Sequence, residues 1–201
     1  MIIAVDSGTA GTVEAEHLCH ELLGLLTGAE IACTHWIPAG RPDPLSDEDQ
    51  AGLGAHVAVS ITLPSATTAM VRRLRHRADE EDLGLVISEP SIELGPSHLV
   101  RGARLASAEG AGRTAGRLFR FPGQSAAVGR LTARELRERA GIDLVEGIGG
   151  TPVHDDSVID TRDFVRPVWR SGRSVLLVQP AAGGVLVPFE LEHQQKCCSN
   201  H

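Results

Sequence analysis

The chain has 201 residues, 42% apolar and 22% charged, with a formal net charge of −7; this is enough for a hydrophobic core without disulfide staples and excludes a disordered or collagen-like chain. Its apolar runs break within about ten residues, where a bilayer span takes about 20. Because Met1 to Val5 meets Asp6 with no basic leader, the reading is a soluble, cytoplasmic protein with no membrane partner.

Residue usage narrows the chemistry further. All but one of the 19 basic residues are arginine, so Walker-type phosphate binding or Schiff-base catalysis has no lysine to use other than Lys196. There is no tyrosine, with two tryptophans and four phenylalanines. That removes most of the stacking platforms that read bases and argues against a nucleic-acid partner. The four cysteines, Cys19, Cys33, Cys197 and Cys198, do not have the spacing of a secreted disulfide scaffold.

In chain order, residues 2–5 read as a buried strand, 6–12 as a Gly/Thr loop, and 13–26 as a helix with Leu18, Leu22, Leu25 and Leu26 at helical spacing. Gly28 ends that helix, and 31–37 is a strand leading into a Pro/Asp-rich loop. Alternation of Val57, Val59, Ile61 and Leu63 makes 56–63 a half-buried strand. Ser65 then caps a helix over 66–82 with Met70, Val71, Leu74 and Ala78 as its apolar stripe. A strand at 85–88 closes a second β-α-β unit. Beyond Gly95-Pro96 the pattern changes: 98–107 reads as a helix, and 109–129 is too rich in Gly and Arg to assign. Residues 131–140 form a helix capped by Thr132, with Glu135 at capping-box spacing. Strands at 164–169, 175–179 and 185–191 complete the chain. The fold expected is α/β, with N-terminal β-α-β units, doubly wound or ferredoxin-like, followed by a small antiparallel β meander. The corresponding divisions are an α/β domain at 1–95, a Gly/Arg-rich connection at 96–130, a helix plus meander at 131–191 and a Cys/His tail at 192–201.

That tail carries the sharpest chemical signal. His193, Cys197, Cys198 and His201 put two thiols and two imidazoles within nine residues, the nitrogen and sulfur donors that zinc and other transition metals prefer. The leading expectation is therefore a metal-binding protein with no reaction assigned, its ligand set completed by His154 or Asp155. Lys196 beside the vicinal thiols also allows a redox reading. A second group of ligands, His154-Asp155-Asp156 with Asp160 and Asp163, reads chiefly as an exposed loop. On the first helix, Glu16/His20 and His17/Glu21 are i,i+4 pairs that support the helix whether or not anything binds.

The loop containing Ser7, Thr9, Gly11 and Thr12 lies between a strand and a helix, where free amides and the helix dipole favour anions. The run Thr9-Ala10-Gly11-Thr12-Val13-Glu14 resembles the phosphate loop of flavodoxin-like proteins, and Asp6 to Thr9 is similar to the Asp-x-Gly-Thr turn of sugar kinases and actin-like ATPases. Over about fifteen residues, the resemblance implies a phosphate-, flavin- or nucleotide-binding enzyme. Residues 131–142 resemble the start of a helix-turn-helix, but Gly149-Gly150 before Pro152 cannot make a recognition helix.

Charge is unevenly placed. Residues 1–97 and 141–201 are acidic, whereas 98–140 form a basic island. Arg113, Arg117 and Arg120 are its candidate donors to a small anionic ligand or an acidic protein, and a non-catalytic interaction module is the third functional expectation.

Overall fold

The computed structural model describes residues 1–39 and 54–192. Its contacts divide the chain into a unit of Met1–Phe121 and a unit of Pro122–His201.

The first unit is an open sheet with helices on both faces. In chain order it runs β1 (Ile2–Asp6), α1 (Thr12–Leu25), β2 (Ile31–Ile37), β3 (His56–Thr62), α2 (Thr68–Glu80), β4 (Gly84–Ile87), β5 (Ile92–Leu94), α3 (Ser97–Gly112) and β6 (Arg117–Arg120). β1 lies between β3 and β4 and is antiparallel to both, and β2 lies beyond β3, antiparallel to it. Each β-α-β unit is thus split by one intervening strand, and the order β4-β1-β3-β2 is the ferredoxin-like arrangement rather than the doubly wound one. β5 extends the sheet beside β4, and β6 extends it beside β2.

Alternating strand positions face opposite sides, and here both sides are covered. Ile3, Val5, Val57, Val59, Ile61, Leu85 and Ile87 pack against Leu18, Leu22 and Leu26 of the α1 segment and Met70, Leu74 and Ala78 of α2. On the reverse face, Ala4, Ala58 and Val86 pack against Val100, Ala103 and Ala106 of α3. Double burial accounts for the nearly continuous apolar run of β1, whereas β3, expected to be half-buried from its alternation, is buried on both faces because its small and polar positions Ala58 and Ser60 lie under α3.

α3 fills residues 97–112, and β6 follows within the segment that composition leaves unassigned. Its contact with the sheet is close because glycine occupies both sides of it. A Cβ placed at Gly84 would lie 2.3 Å from the backbone carbon of Leu99, and one at Gly102 would lie 1.8 Å from Oδ2 of Asp6. The second helix begins later than its sequence suggests. Thr67, not Ser65, is the cap, its hydroxyl accepting from the Met70 amide at 3.2 Å.

The second unit contains β7 (Arg130–Thr132), α4 (Ala133–Arg139), β8 (Leu144–Gly147), β9 (Val158–Asp160), β10 (Val168–Arg170), β11 (Arg173–Pro180) and β12 (Leu186–Pro188). β10, β11 and β12 form the expected antiparallel meander, while β8 runs parallel to β11 and β9 parallel to β12. The Thr132/Glu135 capping box is present, and the Thr132 amide, then its hydroxyl, hold the Glu135 carboxyl below the usual carboxylate range. No helix among the described residues is long and apolar enough to cross a membrane.

Two glycines test the packing account. Gly84→Ala should cost about 1–3 kcal/mol in denaturant unfolding because α3 must lift away from β4. Gly24→Ala, on α1 where a Cβ meets nothing within 4 Å, should instead stabilise by about 1 kcal/mol.

Candidate functional site

At one end of the first sheet, β1 delivers the chain into the loop 7–11 and then into α1, with Gly11 as N-cap and no side-chain cap bond. This strand-loop-helix succession is the one expected from the sequence. Gly8, in the left-handed region at φ 68°, turns the chain sharply, and its amide donates to Oδ1 of Asp6 at 2.8 Å. The carbonyl of Thr9 accepts from the Val57 amide at 2.8 Å, so the loop continues along β3. Ser7 and Thr12 are exposed, and Thr9 and Gly11 are half-buried. Acid rather than base stands at the helix start: a Cβ at Gly11 would lie 1.9 Å from the Glu14 carboxylate.

The likeness to flavodoxin-like proteins stops at the loop. Their phosphate loop opens from a parallel sheet, whereas both neighbours of β1 here are antiparallel. The loop also runs into a helix, not into the second strand of the kinase-like turn.

Trp36 supplies an aromatic group that the sequence reading passes over. It sits opposite Val57 in the β2–β3 register and therefore projects from the α1 face. Two positions earlier on that face is Thr34, opposite Arg117, whose guanidinium pairs with Glu16 of α1. Trp36 is thus one step further toward the start of α1, beyond the turn that carries Glu16, and it is 63% exposed. Val13, in that first helical turn, is 62% exposed.

Under α3, on the opposite face, lies a layer of buried polar side chains. His35 Nδ1 is 2.9 Å from Oε2 of Glu109, and its Nε2 is 2.8 Å from Oγ of Ser60. The pattern has the connectivity of a nucleophile, base and orienting acid. Nothing can approach the hydroxyl, however: Ser60 is 2% exposed, and a Cβ at Gly110 would already lie 2.7 Å from its Oγ. Nearby, His56 Nε2 is 2.9 Å from Oδ2 of Asp6, and His56 Nδ1 is 2.8 Å from the Gly54 carbonyl.

Several of the remaining candidates form ion pairs. Arg117 pairs with Glu16, and elsewhere in the basic island Arg104 takes Glu93, Arg130 takes Asp160, and Arg134 and Arg137 both take Asp155. Arg113 occupies the left-handed C-cap of α3, and Arg120 is exposed at the end of β6. In the His154 loop, Asp155 is therefore engaged by arginine, and Asp163 accepts the Gly129 amide at 2.8 Å. On α1, Glu16 pairs with Arg117 and Glu21 with Arg77, and His20 packs edge-on to Phe119. Among the described residues no group of three or more His, Cys, Asp or Glu side chains is placed to hold a metal ion. His193, Cys197, Cys198 and His201 lie outside the described residues.

No protein-family model, curated protein or solved structure matches the chain.

The buried arrangement predicts a structural role for Ser60. Ser60→Ala should lower stability by about 1–3 kcal/mol by leaving the His35 ring unsatisfied, and a fluorophosphonate should leave Ser60 unmodified in the folded protein. Stoichiometric labelling of Ser60 would show instead that α3 opens to admit a substrate.

Proposed function

We propose that the chain binds a ligand carrying both an anionic group and an aromatic ring, a nucleotide being the simplest case, at the end of the first sheet. The observation that carries this reading is the exposed Trp36 at the end of β2, opposite Val57, whose amide donates to the Thr9 carbonyl of the loop. Ser7, Thr9 and Thr12 would offer hydroxyls, the unoccupied first-turn amides would face the anion, and the indole would stack on the ring. Glu14 stands over Gly11 where the anion would enter, so binding exchanges one negative group for another. ATP and FMN are suitable probes. Trp36→Ala should weaken binding about 5- to 150-fold, the range expected for about 1–3 kcal/mol of stacking, and Glu14→Gln should tighten it. An unchanged Trp36 fluorescence and unfolding midpoint at millimolar ATP and FMN would remove the proposal.

A second reading rests on residue chemistry in the tail. His193, Cys197, Cys198 and His201 form a set suited to zinc or another transition metal. Protein purified without an affinity tag should carry metal that is lost on truncation after Glu192 and on replacing both cysteines by serine. Equal metal content in the intact and truncated chains would exclude this site.

A further inference from the structure

We infer that the buried Asp6–His56 pair holds one proton more than an ionised carboxylate beside a neutral imidazole, and that this proton latches the loop 7–11 to the start of β3. The argument is an inventory of donors and acceptors. His56 Nδ1 faces the Gly54 carbonyl at 2.8 Å, which can only accept, so Nδ1 carries a hydrogen. The other ring nitrogen faces Oδ2 of Asp6 at 2.9 Å, while Oδ1 of the same carboxyl accepts from the Gly8 amide at 2.8 Å. If Asp6 is ionised, Nε2 must carry a second hydrogen; if Nε2 is bare, the carboxyl must carry it. Either way the pair has one proton in excess. Without it, a nitrogen lone pair would face a carboxylate between side chains that are 3% and 0% exposed, at the cost of leaving buried polar groups unmatched.

The surroundings isolate this requirement. α3 meets the pair with Gly102, whose Cβ, if it had one, would lie 3.3 Å from His56 Nε2. The titratable groups on the buried polar layer are Asp6 from β1, Cys33 and His35 from β2, His56 from β3 and Glu109 from α3 among the described residues. His35 needs no extra proton: the Ser60 hydroxyl can donate to its Nε2 while an Nδ1–H donates to Glu109. Two imidazoles under one helix therefore differ in their hydrogen inventory because one faces a hydroxyl and the other faces two acceptors.

Asp6→Asn is the discriminating variant. Its Oδ1 can accept from Gly8, its amide can donate to a bare Nε2, and His56 can keep its bond to Gly54 with a single hydrogen. At pH 7.5, nitrogen NMR of the wild type should show hydrogens on both His56 ring nitrogens, or else carbon NMR should show a protonated Asp6 carboxyl. The variant should show one ring hydrogen. One ring hydrogen beside an ionised Asp6 in the wild type would overturn the inference. If the variant does not fold, the wild-type spectra alone decide.

Discussion

The close seating of α3 on the first sheet is the constraint on which much of this unit depends. The helix comes near enough for its glycines to touch strand side chains, leaving Asp6, His35, His56 and Ser60 buried beneath it. Polar groups in such a place must satisfy one another, and they do so in two separate sets. One set closes on Glu109 of the helix itself. The other closes on backbone at Gly8 and Gly54, and so transmits the position of α3 to the loop that precedes α1.

This arrangement explains which parts of the molecule are legible in the sequence. β1, β2 and β3 announce themselves through apolar content and alternation, and the β2 boundaries 31–37 agree with the structure. Of α3, residues 98–107 read as a helix, but its last turn is quieter because Gly110 and Gly112 break the periodicity there, and the segment after it reads as irregular. The polar layer is quieter still. Its partners are separated by as many as 74 residues, and they meet only once the antiparallel register is known. Trp36 could have been found, since it continues the Ala32–Thr34 face of β2 at the strand end, but that face needs α1 in place to become meaningful.

Electrostatics follows a related logic. Local spacing pairs Glu16 with His20 and His17 with Glu21, yet the carboxylates take arginines from β6 and α2. Guanidinium is always charged and offers a planar fork of donors, which an imidazole does not. The basic island is similarly dispersed among acids within each unit, although such exposed pairs add little to stability in water. Their arrangement fixes where charge lies more than it fixes how firmly the chain folds.

The split topology also sets an order of assembly. β1 occupies the interior of its sheet, but its two neighbours are separated from it in sequence: Ile3 must find Ile61 on one side and Ile87 on the other. Until β3 is made, an almost wholly apolar segment has no edge to join, and until β4 is made one side of it stays open. Such non-local closure slows folding and prolongs the exposure of unpaired strand surface. During synthesis, the Ile2–Val5 segment therefore keeps one edge unpaired until β4 emerges.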